Sequence, residues 1–143
     1  MKIRTSFVTN SSSSSFVIAY KNLPEIDEGT LAKYPFLKNY EKLIENALFA
    51  EGDYETNSGE ICKTKEELDE CIIDNFGWRE TDTIEKILED EYFYKDTYNK
   101  AIKYLEEGFN ILYKQVGYSD DCCLNMIKTL AEDENNFVIL EGE

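Results

Sequence analysis

The chain has 143 residues, 42% of them apolar and 13% aromatic, which is enough to bury one core and too much for wholesale disorder. A formal net charge of −15 and the absence of any histidine exclude whole classes of function. Direct nucleic-acid binding rests on Lys and Arg neutralising phosphates, and most small hydrolases and zinc sites rest on imidazole.

The N-terminal part opens with two strand-like runs rich in Val, Ile, Phe and Thr, residues 2–8 and residues 15–20 (SFVIAY). Between them lies a polar connector, residues 9–14, so the expected unit is a hairpin over residues 2–20 whose serines span the gap. Small polar residues there read as a solvated turn. Catalysis by a Ser/Lys pair needs a desolvated lysine, and an anion nest near Arg4 lacks the Gly pattern and Lys of a P-loop.

Residues 37–107 form the expected helical middle. After an irregular stretch punctuated by Pro24, Gly29 and Pro35, the spacing of Leu37, Tyr40, Leu43, Ile44, Ala47 and Leu48 predicts a helix over residues 37–50. A polar stretch follows, and Thr64 with Glu67 forms a capping box that opens a second helix running to Phe76, stopped by Gly77. Thr81 or Thr83 caps a third helical region, one helix or two, interrupted by the acids at Glu89, Asp90 and Glu91 and closed by Gly108. Aromatics Tyr92, Phe93, Tyr94, Tyr98 and Tyr104 occupy more than one face, leaving one or two for a surface.

Residues 109–140 read as strand, helix, strand. Residues 109–118 carry the Ile, Tyr and Val of a strand; Ser119, Asp120 and Asp121 open a helix; residues 137–140 (FVIL) supply a last strand. Such a unit favours a crossover that sets its two strands parallel. The expected class is α+β, or mixed α/β: a single domain with a small sheet of three to five strands, FVIAY and FVIL central, and helices packed mainly on one face.

No apolar run approaches the roughly 18 residues of a membrane span, and no apolar core follows Lys2 and Arg4 as in a secretion signal. The expected location is the cytoplasm, with no membrane partner. The spacing of Cys62, Cys71, Cys122 and Cys123 fits neither a disulfide scaffold nor a zinc knuckle, so they read as buried thiols, with at most one of Cys122 and Cys123 facing the core. Asp120 and Asp121 read as helix-capping residues in preference to Mg²⁺ ligands. No catalytic residue, metal site or cofactor is assigned.

Charge is unevenly placed. Residues 51–91 hold fifteen acids against four bases, whereas residues 1–50 sum to +1 and residues 92–143 to −5. The candidate partner-binding set is therefore Glu66, Glu67, Asp69, Glu70, Asp74, Glu85, Glu89, Asp90 and Glu91, with Tyr92 beside them, since Tyr next to acid suits an interface. Arrayed outward, these carboxylates would dock fast and salt-sensitively against a basic protein surface.

The opening string MKIRTSFVTNSSSSSFVI resembles an N-terminal signature, SFVxNSSSSSF, seen on many short uncharacterised proteins of phages and their bacterial hosts, Firmicutes especially. The resemblance covers about the first eighteen residues; it speaks to origin and carries no biochemical role. Together with the charge it implies a bacterial host cell as the setting. The expectation is a non-enzymatic acidic protein, phage or mobile-element encoded, that inhibits a nucleic-acid-binding host protein as an anti-CRISPR, anti-defence or DNA-mimic inhibitor does. The alternatives are a phage structural or assembly component and a small protein with an Asp/Glu metal site.

Overall fold

The computed structural model describes residues 13–52, 55–79 and 81–142. Its α+β architecture is a four-stranded sheet carrying helices. The strands are β1 (Ser13–Tyr20), β2 (Glu60–Cys62), β3 (Asn110–Gly117) and β4 (Phe137–Glu141). The helices are α1 (Glu28–Lys33), α2 (Lys38–Phe49), α3 (Lys65–Phe76), α4 (Ile84–Glu89), α5 (Lys95–Glu106) and α6 (Asp121–Leu130), with a 3-10 turn at Pro35–Leu37.

The strand order is β2-β3-β1-β4, and every neighbouring pair is antiparallel. The final strand, helix, strand unit does make β3 and β4 parallel, but β1 lies between them and bonds to both. β1 is central and buried along its whole length. Its even residues Phe16, Ile18 and Tyr20 face α2 and α6, and its odd residues Val17 and Ala19 face α3, α4 and α5, because side chains alternate along a strand. FVIAY thus sits where a two-faced apolar strand belongs. FVIL does not: β4 is an edge strand, and only Phe137 of it is fully buried. The second central strand is β3.

Both faces of the sheet are covered. The middle helices α3, α4 and α5 share one face, where Leu68, Ile72, Phe76, Ile87 and Phe93 pack on Val17, Ile111 and Tyr113. α2 and α6 close the other face with Leu48, Ile127 and Leu130 against Phe16, Ile18 and Leu112. The expectation of helices mainly on one face overlooked that β1 and β3 are apolar on both sides and need two covers.

Three further readings are corrected. The first proposed strand, residues 2–8, lies outside the described residues, but Ser13 and Ser14, expected in the connector, belong with Ser15 to β1, and all three are buried, so Ser13 and Ser14 do not span a gap. They are held by cross-strand hydroxyl chemistry: Ser13 Oγ accepts from Gln115 Nε2 at 2.6 Å, and Ser15 Oγ lies 3.5 Å from the Tyr113 hydroxyl. The polar stretch before Thr64 contains β2, a three-residue edge strand whose pairing with β3 propensity could not announce. Gly77 ends α3 in an extended conformation, with φ −76°, and not in the left-handed one; an added Cβ would lie 2.6 Å from the Ile73 carbonyl oxygen, so close approach is what requires glycine there. Gly108, with φ +90°, is the left-handed stop.

Candidate functional site

The acidic stretch folds into α3, α4 and the corner that follows. Thr64 caps α3, its Oγ1 accepting from the Glu67 N–H at 3.2 Å, while Glu67 Oε1 accepts from the Lys63 N–H at 3.3 Å. Leu68, Cys71, Ile72 and Phe76 take the inner face. Glu66, Glu70 and Asp74, four residues apart, therefore form an exposed stripe on the opposite side, with Glu67 beside it. At 1.5 Å rise per residue these carboxylates are spaced about 6 Å along the axis.

Thr83 caps α4 through the Lys86 N–H at 3.3 Å, Ile87 points inward, and Glu85 and Glu89 repeat the exposed four-residue spacing. The helical region is two helices, because Glu91 adopts φ +60° and the Tyr92 N–H closes back on the Ile87 carbonyl at 3.0 Å. This is a left-handed helix stop built on a residue that pays for it sterically. Asp90 and Glu91 lie exposed at that corner. Since α3 and α4 pack on the same side of the sheet and touch each other, their outer stripes belong to one layer.

Two of the nine carboxylates are engaged by lysine. Asp69 is half-buried and bridges α3 to α5: Lys65 Nζ is 2.7 Å from its Oδ2, and the Tyr98 hydroxyl donates to its Oδ1 at 2.7 Å. The lysine's ammonium is pushed up by that carboxylate, and burial pushes the Tyr98 phenol up. Asp69 is a fastener more than a contact. Asp90 is 3.8 Å from Lys86 Nζ. Among the described residues the other seven make no ion pair. Tyr92 is half-buried against the core, which leaves it little surface to offer.

Two aromatics stand out in this layer: Tyr94, one of the cluster from which a surface residue was expected, and Trp78, which was not singled out from the sequence. Trp78 is 58% exposed and Tyr94 44%. Trp78 is fixed by Asp82, whose Oδ2 accepts from the Trp78 N–H at 2.6 Å and the Arg79 N–H at 2.9 Å. These backbone donors, Arg79 first, hold the Asp82 carboxyl below its usual range. A lone Trp after Gly77 in a polar turn was the available signal.

The opposite face contains a second unforeseen group. Lys114, on β3, has no exposed surface. Its Nζ donates to the Ala50 carbonyl at 3.1 Å and to the Asn57 carbonyl, tying the segment after α2 to the sheet. Burial pulls its pKa down, with Cys123 and Asp120 opposing. The segment is further held by Gln115 N–H to Asn57 Oδ1 at 3.1 Å and Gly117 N–H to Thr56 Oγ1 at 2.9 Å. Lys114 is a structural latch.

The cysteines are free thiols. Cys62, Cys71 and Cys123 are buried and Cys122 is exposed, so one of the adjacent pair faces the core. Hydrogen bonding with Cys62 and burial push the Cys71 thiol up. Among the described residues no three of Cys, Asp and Glu converge as a metal would require. Asp120 accepts from the Cys123 N–H at 3.1 Å and caps α6. Among the described residues no helix is long and apolar enough to cross a membrane.

Compared with known proteins, the chain matches no protein-family model, no curated sequence and no solved structure. The reading of its function rests on the geometry above.

Proposed function

We propose that this is a non-enzymatic acidic interaction protein whose α3–α4 layer docks on the basic surface of a nucleic-acid-binding host protein and inhibits it by standing in for the nucleic acid. The observation that carries the reading is the exposed stripe Glu66, Glu70 and Asp74, flanked by Glu67 and followed by Glu85, Glu89 and Glu91, none of them ion-paired among the described residues. Solvated carboxylates on a rigid helix form a line of negative charge without internal neutralisation, which favours rapid, salt-dependent docking on Lys and Arg. Exposed Trp78 and Tyr94 supply the aromatic contacts that such a surface uses for affinity. The N-terminal resemblance supports a phage or mobile-element origin, hence a bacterial cytoplasm as the setting and a defence nuclease or a polymerase as the class of target.

The test is capture from bacterial host lysate at low and high salt, with the wild-type chain and with Glu66→Gln, Glu70→Gln, Asp74→Asn combined. A nuclease or polymerase retained at low salt, released at high salt and lost by at least tenfold with the triple variant is the expected result. Capture indifferent to both salt and the variant overturns the reading, and retention of phage structural proteins instead points to an assembly component.

A further inference from the structure

β4 is the outer strand of the sheet, and its backbone alternation can be followed residue by residue. The Lys21 N–H donates to the Asn136 carbonyl at 2.9 Å, so that carbonyl faces β1, while the Asn136 N–H turns back to the Asp133 carbonyl at 3.1 Å. In an antiparallel ladder, bonded and non-bonded pairs alternate. With Tyr20 opposite Phe137, Ala19 opposite Val138 and Ile18 opposite Ile139, Val138 also faces β1 while Phe137 and Ile139 turn their backbone groups outward. The Phe137 N–H confirms the phase, because it donates away from β1 to the Asp133 carbonyl at 2.9 Å. Among the described residues nothing takes up the outward N–H and C=O of Ile139.

This open edge is the floor of a trough. On the α5 side a groove of about 390 Å³ runs along Val138, Ile139 and Leu140 beneath Lys100, Lys103 and Tyr104. On the α6 side a groove of about 470 Å³ runs along Phe137, Val138 and Ile139 beside Ala131, Glu134 and Asn135. Both share Tyr104, Val138 and Ile139, so they are the two halves of one channel around a strand edge. Its walls differ in charge. The α5 wall bears Lys100 and Lys103 against Glu107, and Lys103 makes no ion pair among the described residues. Glu141 lies within the field of Lys100, and Glu134 is the acid of the opposite wall.

We propose that this edge binds an extended peptide, added as a fifth strand beside β4, with a carboxylate projecting toward Lys103 and Lys100 and its alternate, uncharged side chains lying against Ala131 beside Glu134. An extended peptide sends alternate side chains to opposite faces, which matches a trough with two lysines on its α5 wall and Ala131, Glu134 and Asn135 on its α6 wall. Main-chain bonds to Ile139 give the affinity and the two walls give the choice of sequence, as in other strand additions. The surface is separate from the α3–α4 carboxylates and stands independently of the role proposed for them.

The experiment uses the full chain, isotope-labelled, and a panel of capped five-residue peptides in which an apolar residue alternates with Asp, Asn or Lys. Expected are amide shifts confined to residues 137–141 and the facing part of α5, with affinity in the order Asp, Asn, Lys. N-methylation of the central peptide amide should weaken binding at least tenfold, and Lys100→Glu with Lys103→Glu should weaken the Asp peptide about tenfold while helping the Lys peptide. Ile139→Pro removes the outward N–H without touching a bond to β1 and should abolish binding; the N-methyl peptide gives the same answer should that variant unfold. No shifts with any peptide at millimolar concentration, or equal binding by the N-methylated one, overturns the proposal. So does slow hydrogen exchange of the Ile139 amide in the free protein, or self-association that Ile139→Pro removes, since either means that another part of this chain or a second copy holds the edge.

Discussion

The two faces of the sheet treat charge in opposite ways. On the α3–α4–α5 face most charges sit outside an apolar core on helix surfaces that water reaches, the exceptions being Asp69 and Asp82, which hydrogen bonds hold in place. On the α2–α6 face a lysine has been drawn fully inside, where two carbonyls receive it. Solvated carboxylates contribute little to stability and are free to act on a partner, because their interactions are screened and conformationally loose. A buried ammonium is the reverse: it is held by hydrogen bonds, available to nothing outside, and costly to disturb. Apart from Asp69 and Asp82, solvated charge and buried charge thus lie on opposite faces of the sheet.

The largest break in this contrast comes from the core beneath the acids. Phe93 is buried, with its ring 5.2 Å from that of Phe76. Phe93→Ala is expected to lower stability by about 3–5 kcal/mol in urea unfolding, as large-to-small core changes do, and to take the α3–α4 layer with it. Removal of the latch is next. Lys114→Met strands the Ala50 and Asn57 carbonyls and should cost about 1–3 kcal/mol, the range for buried acceptors left unmade.

The latch also has a pH signature. The folded-state pKa of Lys114 is depressed below its ordinary 10.5, so between the two values the unfolded chain holds the proton that the folded one sheds. Stability then rises with pH across that window. Urea midpoints followed from neutral pH to just below the tyrosine range should show this rise in the wild type and lack it in Lys114→Met.

The outer charges sharpen the contrast from the other side. Glu66 with Glu70, and Glu70 with Asp74, are like-charge neighbours one turn apart. Neutralising all three should leave stability unchanged or raise it by up to about 1 kcal/mol, since each such pair costs roughly 0.2–0.5 kcal/mol. A clear loss would mean that the stripe serves folding and not recognition. The smallest effect is local. The Asp82 carboxylate is favoured in the fold, so its hold on the Trp78 turn is complete at neutral pH and is lost as pH falls through its lowered pKa. Fluorescence of Trp78, the chain's one tryptophan, should change there before global unfolding, and Asp82→Asn should remove that step.

Much of the local architecture was readable in advance because local chemistry decides it. Thr64, Thr83 and Asp120 cap the helices they were expected to open, since a short side-chain oxygen and a free N–H three residues on need no distant partner. Gly108 stops α5 for an equally local reason. β2 was invisible: three residues with two exposed side chains become a strand only because β3 offers an edge. Ser13 and Ser14 were misplaced because a hydroxyl-rich run looks solvated until a partner such as Gln115 is brought across from about a hundred residues away. In the candidate site, the exposed positions of the α3 stripe followed from helical spacing, whereas the diversion of Asp69 to Tyr98 depended on how α5 packs.

By itself the sequence determined α2, α3, α6 and the helical region of α4 and α5, the caps at Thr64, Thr83 and Asp120, the apolar central strand β1 and the crowding of acid into one third of the chain, all set within a few residues by backbone sterics, hydrogen-bonding reach and hydrophobic periodicity. Only the tertiary structure decided that both faces of the sheet are covered, that Lys114 lies inside, that Trp78 stands outside and that β4 is the edge of the sheet among the described residues. Those outcomes depend on which segments meet across the sheet, and pairing between distant segments is a property of the folded ensemble of contacts that no local window of sequence contains.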